Sequence, residues 1–98
     1  MIKKAYRKSK KSCLVTFTVP AEVTAEVIHI CGEFNDWNRE DLPLTRRKDG
    51  RFSRSVPLPA GQSYRFRYLL DQQRWENDWA ADDYAPNPFG TEDSVIEV

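Results

Sequence analysis

The sequence predicts an all-β protein that folds as a single antiparallel sandwich of two sheets. Short segments in which apolar and polar residues alternate, the period of a half-buried strand, recur along the 98 residues and are separated by turn signals. No stretch convincingly repeats apolar residues at the spacing of an amphipathic helix. Because parallel strands need crossover connections, about seven short strands in a chain of this length favour antiparallel pairing.

The N-terminal residues differ in composition from the rest of the chain. Residues 1–12 contain six Lys and Arg residues, no acidic residue and no apolar period, so we expect a flexible basic segment. The domain itself is expected over residues 13–98. Its first strand is predicted over residues 13–19, and Pro20 ends this strand because proline offers no N–H to a ladder.

A short β-branched segment, residues 27–31, predicts the second strand. Ile28 and Ile30 are expected to face inward and His29 outward, and Gly32 ends the strand. No serine or cysteine is placed to form a nucleophile and base pair with this histidine, so we assign it no catalytic role.

The middle of the chain predicts a hairpin, a connector and the most regular strand. An Asp-Gly pair at residues 49–50 is typical of a turn that leads into a strand over residues 52–56. The proline-rich stretch 57–61 is expected to be a rigid connector with few N–H donors. Residues 64–70 alternate strictly and predict the longest strand.

The last third of the chain has the weakest pattern. Residues 71–74 are expected to turn, and residues 77–89, rich in Asp, Asn, Pro and Ala, are expected to form a loop. Such long loops in small domains are usually functional or mobile. Residues 95–98 predict a final short strand.

Charge and composition exclude several classes of partner. Lys and Arg balance Asp and Glu at fifteen each, so no global attraction to nucleic acid or to a membrane is expected. No apolar run approaches the roughly 20 residues that span a bilayer, and no signal-peptide core follows the basic start. We therefore expect a cytoplasmic protein, in which Cys13 and Cys31 are free thiols.

No set of residues predicts catalysis or metal binding. Hydrolysis of a glycosidic bond needs two carboxylates across a cleft, and no pair stands out among acids that lie mostly in turns. A phosphate-binding glycine loop, a nucleophile elbow and the ligand spacings of a metal site are absent from the sequence. We expect a protein that is not an enzyme and that holds no cofactor and no metal.

The chemical signal in the sequence is its tryptophans. Trp37, Trp75 and Trp79 fall outside the regularly alternating segments. A pyranose ring has an apolar C–H face and a rim of hydroxyls, so a sugar site needs flat aromatic rings beside amides and cations. Trp37 and Trp75 are candidates for the face. The candidates for the rim are Asn35, Asn38 and Arg67. Core packing or a loop plug is the alternative for each tryptophan, most of all for Trp79.

Several short motifs together indicate a family. They are Gly32-Glu33-Phe34-Asn35-Asp36-Trp37-Asn38, Asp49-Gly50, Pro59-Ala60-Gly61, the run of residues 66–71, Trp75, the run of residues 87–91 and the run of residues 94–98. In this order and spacing they resemble the family 48 carbohydrate-binding modules, which include the glycogen-binding domain of the AMP-activated protein kinase β subunit and the early-set domains of branching and debranching enzymes. The resemblance implies an immunoglobulin-like β-sandwich that binds α-1,4-linked glucans without catalysis.

The resemblance also assigns binding residues. By motif, the two tryptophans that stack on sugar are Trp37 and Trp75, and the basic residue is Arg67. Phe89 corresponds to the loop hydrophobe that enters the curve of the glucan, with Thr91 just after it. The expected ligand is an α-glucan polysaccharide or a maltooligosaccharide.

The chain departs from the family pattern at three points. Asp93 stands where the family has an asparagine, and a carboxylate accepts hydrogen bonds but does not donate them as an amide does. Arg67 stands where the glycogen-binding kinase domains usually have lysine. The turn at residues 71–74 is longer than the common Asp-Gly turn, which is expected to shift Trp75 relative to Trp37.

Two other functions compete with glucan binding at this level. One is an early-set-type sandwich that binds a protein instead of sugar, with a glycan-processing enzyme or a kinase subunit as its partner. The other, a small glycan-processing enzyme, depends only on the family's association with branching enzymes.

Overall fold

The computed structural model describes residues 2–8 and 11–98. Within these ranges the chain forms nine β-strands, one 3₁₀ turn at Glu33–Asn35 and no α-helix. The strands are β1 (Ile2–Tyr6), β2 (Ser12–Val19), β3 (Ile28–Gly32), β4 (Thr45–Arg46), β5 (Phe52–Pro59), β6 (Ser63–Leu70), β7 (Arg74–Glu76), β8 (Asp83–Pro86) and β9 (Glu92–Glu97). The described residues include no helix long and apolar enough to cross a membrane.

The strands form two antiparallel sheets. The first sheet has the order β1-β2-β5-β4, and the second has the order β3-β6-β9-β8 with β7 also paired to β6. Every strand pair is antiparallel. The predicted all-β, immunoglobulin-like sandwich is confirmed.

The core lies between the sheets and contains alternate side chains of their central strands. Phe17 of β2 meets Phe66 of β6 edge to face, with ring centroids 5.1 Å apart. Ile28 and Ile30 are fully buried while His29 is half-buried on the other face of β3, as the alternation predicts. The inward face of the second sheet therefore belongs to the core, and its outward face is available for a site.

The N-terminal segment differs from the flexible arm expected over residues 1–12. Ile2–Tyr6 form β1, which pairs along its length with β2. Lys4 Nζ donates to Asp82 Oδ2 at 2.7 Å. The expectation was wrong for these residues because the open edge of β2 offers ladder hydrogen bonds to any sequence, and lysine is a common residue on edge strands. Residues 1, 9 and 10 lie outside the described residues, and the domain boundary at residue 13 stays a prediction.

Strand β5 runs through the stretch that was expected to be a connector. Pro57 pairs with Leu14 and Pro59 with Ser12. Ala60 N donates to Lys11 O at 3.0 Å. In an antiparallel ladder the backbone N–H groups of successive residues point alternately toward and away from the partner strand. The backbone nitrogens of both prolines therefore face away from β2. On the other side of β5, strand β4 pairs only with the first residues of β5. The two prolines therefore have no partner strand on the side that they face, and their lack of an N–H group costs no hydrogen bond of the sheet.

The expected loop at residues 77–89 also contains a strand. Asp83–Pro86 form β8, which pairs with β9 at the edge of the second sheet. The aspartate and proline residues that obscured this strand in the sequence are tolerated at a sheet edge. Residues 87–91 therefore form only a short loop between β8 and β9. This loop lies next to the candidate site described below.

Candidate functional site

A tight turn after β3 presents Trp37. Trp37 N donates to Gly32 O at 2.8 Å, and Asn35 Oδ1 accepts the Gly32 N–H at 2.9 Å. Asp36 and Trp37 both adopt left-handed backbone conformations, with φ of 54° and 57°. For residues other than glycine this conformation costs on the order of 1–2 kcal/mol each. The turn therefore holds a half-buried indole in a strained position above the outward face of the second sheet.

Strands β6 and β7 provide the floor of the site. Leu69 pairs with Trp75 and Cys31 pairs with Arg67, which places Arg67 and Trp75 on the same outward face. The Arg67 guanidinium lies 5.9 Å from the centre of the Trp75 ring, within the range of a cation–π contact. A second guanidinium, that of Arg39, lies 5.6 Å from the same ring. The Trp75 indole is thus fixed by neighbours that are themselves polar.

The loop between β8 and β9 is organised by the amide of Asn87. Asn87 Oδ1 accepts the backbone N–H groups of Phe89 at 3.0 Å and Thr91 at 3.3 Å. Asn87 Nδ2 donates to Thr91 Oγ1 at 2.8 Å and to Asp93 Oδ1 at 3.1 Å. The loop is therefore braced from within, and it holds Phe89 with 88% of its surface exposed.

Asp93 lies between two arginines of β6. Its Oδ2 is 3.5 Å from Arg65 Nη1, and its Oδ1 is 4.0 Å from Arg67 Nε. Arg67 Nε is buried and has no hydrogen-bond partner in the described part of the chain. An asparagine at position 93 would be neutral and could donate hydrogen bonds through its amide. The aspartate cannot donate them, and its negative charge instead partly neutralises the two guanidinium groups.

These elements enclose one cleft of about 690 Å³, which lies within the usual size of a small-molecule site. Six predicted residues line it. They are Trp37, Arg67, Trp75, Phe89, Thr91 and Asp93. The longer turn at residues 71–74 still leaves Trp75 in the same cleft as Trp37. Across the described ranges, no group of three or more His, Cys, Asp or Glu side chains is arranged to hold a metal ion.

Two predicted rim residues do not line the cleft. Asn35 uses its amide inside the turn, where Oδ1 accepts the Gly32 N–H and Nδ2 donates to Ile30 O at 3.2 Å. Asn38 is exposed, and its Oδ1 accepts the Glu40 N–H at 2.8 Å. Trp79 lies elsewhere too, stacked on Tyr68 with ring centroids 6.0 Å apart. Trp79 is 45% exposed, so it packs on the buried Tyr68 from the surface and is not a core residue.

Sequence reasoning missed five residues that line the cleft. They are Glu33, Arg39, Arg65, Asn87 and Pro88. Arg65 had a signal, because it lies two residues before Arg67 and period-two alternation puts both on one face. Asn87 lay within a quoted motif but was assigned no role. Arg39 follows the turn in a segment with no period, so nothing in the sequence pointed to it.

A buried thiol lies below the site. Burial raises the pKa of Cys31 to about 11, and the positive charge of Arg39 opposes this rise. At pH 8 about one thiolate in a thousand molecules is expected. Folded Cys13→Ala protein should therefore react with a thiol-specific dye at least about a hundredfold more slowly than the same protein in denaturant. Labelling of the folded variant within the mixing time would contradict this prediction.

Comparison with known protein families gives a match over most of the chain. A family model described as carbohydrate-binding module 48 (isoamylase N-terminal domain) matches residues 7–85. The matched range contains Trp37, Arg67 and Trp75 but ends before the loop at residues 87–91, so the loop residues are placed in the site by geometry. No curated protein matches the chain.

Proposed function

We propose, because the chain belongs to the carbohydrate-binding module 48 family, that it binds α-1,4-linked glucans such as glycogen, starch or maltooligosaccharides. The observation that carries this proposal is the convergence of three aromatic side chains on one cleft. Trp37 comes from the turn after β3, Trp75 from β7 and Phe89 from the loop before β9. Aromatic rings from three separate elements that line one cleft suit a ligand with several apolar faces, as a glucan chain has.

The cleft offers the two kinds of contact that a glucan needs. The indoles of Trp37 and Trp75 match the apolar C–H faces of pyranose rings. Arg67 donates to hydroxyl groups. Thr91 Oγ1 donates to Asn87 Oδ1 at 3.1 Å and accepts from Asn87 Nδ2 at 2.8 Å, so it keeps one lone pair to accept from a sugar hydroxyl. The exposed ring of Phe89 is suited to the concave side of a curved α-1,4 chain.

The acidic residues of the cleft support binding without catalysis. Glu33 Oε1 accepts the backbone N–H of Arg65 at 2.6 Å, and Asp93 lies beside Arg65 and Arg67. A glycosidase needs one carboxyl group free to protonate the leaving oxygen and a second to attack or to activate water. Both carboxylates here are engaged with groups of the protein itself.

A second candidate function, binding of a protein partner, is supported by the opposite face of the sandwich. Leu14 is exposed on the outward face of the first sheet and pairs with Ala5 on one side and Pro57 on the other. All three are exposed, so they form an apolar row across three strands. A glycan-processing enzyme or a kinase subunit could contact this row while the cleft holds glucan.

Affinity electrophoresis in gels that contain glycogen tests the proposal. The wild-type protein and Trp79→Phe, a matched control outside the cleft, are expected to be retarded. Trp37→Ala and Trp75→Ala should lose at least about tenfold in affinity, equivalent to about 1.4 kcal/mol each. Titration of tryptophan fluorescence with maltoheptaose gives the dissociation constants. Unretarded migration of the wild-type protein, or equal retardation of all four proteins, would contradict glucan binding at this site.

A further inference from the structure

The cleft carries more positive charge than binding of a neutral glucan requires. Its basic side chains are Arg39, Arg65 and Arg67, and its acidic side chains are Glu33 and Asp93. Three cations against two anions leave a formal charge of plus one. Because the whole chain is neutral and residues 1–12 hold six positive charges, residues 13–98 sum to minus six. The cleft is thus a site of net positive charge on a chain that is neutral overall.

Arg39 differs from the other two arginines of the cleft. Arg65 and Arg67 share the carboxylate of Asp93. Among the described residues, no carboxylate lies within ion-pair distance of Arg39. Its guanidinium lies over the Trp75 ring instead, 5.6 Å from the ring centre. The charge of Arg39 acts at the site, since it opposes the rise in the pKa of the Cys31 thiol below.

We propose that the glucan bound in this cleft carries phosphate monoester groups, and that Arg39 binds the phosphate. This inference rests on the proposed glucan binding and specifies its ligand. A guanidinium and a phosphate form two parallel, charge-assisted hydrogen bonds, whereas sugar hydroxyls gain little from an additional cation. Because the Arg39 guanidinium lies 5.6 Å from the centre of the Trp75 ring, a sugar unit that contacts this ring would bring its substituents close to Arg39.

Matched oligosaccharides test this inference. Maltoheptaose and maltoheptaose bearing one phosphate monoester, on a C6 hydroxyl in one preparation and on a C3 hydroxyl in another, are titrated while tryptophan fluorescence is followed. At least one phosphorylated form should bind about 3- to 10-fold more tightly than the neutral form at low salt, as one charge-assisted contact at a partly exposed site provides. The preference should decrease at 0.5 M salt, where the screening length is only about 3–5 Å.

Two variants assign the preference to a residue. Arg39→Gln should reduce the ratio of the two affinities to near one. Arg51→Gln, which removes the same charge at an exposed turn outside the cleft, should keep the wild-type ratio. Unchanged preference in Arg39→Gln would overturn the role of Arg39.

The remaining outcomes separate the inference from the proposed function. Equal affinity for neutral and phosphorylated oligosaccharides would overturn the inference and leave glucan binding intact. Inorganic phosphate is also tested as a competitor of the phosphorylated oligosaccharide. If it competes as well as the phosphorylated oligosaccharide does at the same concentration, the inference is overturned, because the site would then bind free phosphate. Failure to bind any of the oligosaccharides would overturn the proposed function itself.

Discussion

Replacement of Gly32 by alanine is expected to destabilise the domain by about 3 kcal/mol or more. A Cβ atom at this position would lie 2.6 Å from Arg65 O, 2.8 Å from Phe66 Cβ and 2.9 Å from Phe34 Cε2. The first two atoms belong to the central strand β6, which cannot move without breaking its ladders. Gly32 O also accepts the hydrogen bond that closes the turn carrying Trp37, so a displacement of the backbone at position 32 should move Trp37 as well.

Urea denaturation followed by tryptophan fluorescence measures this effect. Gly61→Ala is the matched control, because Gly61 has a φ of +86° but no atom within 4 Å of the position of a new Cβ. It should lose only about 1 kcal/mol, the cost of a left-handed conformation. Equal destabilisation by the two substitutions would show that close packing at Gly32 is not the cause.

Replacement of Asp78 by alanine is expected to cost about 3 kcal/mol, the second largest effect. The buried Tyr68 hydroxyl donates to Asp78 Oδ2 at 2.6 Å, and Ala80 N donates to Asp78 Oδ1 at 2.8 Å. The substitution leaves the hydroxyl buried without this acceptor and releases the loop that carries Trp79. Trp79 stacks on Tyr68, so the emission maximum of native tryptophan fluorescence should shift when Asp78→Ala lowers the free energy of unfolding.

The same pair makes stability sensitive to alkaline pH. Burial raises the pKa of Tyr68 well above its ordinary value of 10.0, and the charge and hydrogen bond of Asp78 raise it further. Because the folded pKa exceeds the unfolded one, this stabilisation is complete below about pH 10 and is lost as the pH rises above it. Urea midpoints from pH 8 to 11 should fall less steeply in Tyr68→Phe than in the wild type. Parallel curves would contradict a buried, protonated phenol.

Much of the fold follows from sequence because local pattern and tertiary environment agree in the central strands. Alternation predicted β2, β3 and β6, and it correctly placed Ile28 and Ile30 of β3 inward. It failed at β1, where lysines conceal an edge strand, and in the second half of β5, where Pro57 and Pro59 resemble a connector but face an edge that needs no donor. Edge positions depend on neighbours that are distant in sequence, so no local pattern determines them.

The sequence predicted residues of the candidate site only where a family motif contains them. The family motifs named six side chains that line one cleft, although their role in binding stays a prediction. Asn35 and Asn38 were chosen for their chemistry, but hydrogen bonds within the protein use Asn35 Oδ1 and Nδ2 and Asn38 Oδ1. Arg39 was missed because a contact with Trp75 across 36 positions has no local signature. The cytoplasmic location likewise stays a prediction.

Under the proposed glucan binding, the left-handed backbone at Trp37 places stability and binding in opposition at a single position. Glycine adopts this conformation freely, so a glycine there would relieve the strain but remove the indole. A library of variants sorted by resistance to heat should therefore accept glycine at position 37 wherever relief of the strain exceeds the packing lost with the half-buried indole, and such variants would lose the proposed glucan binding. A library sorted by retention on glucan should keep the tryptophan and acquire its stabilising changes elsewhere. The position would then report which property a population of sequences had been selected for.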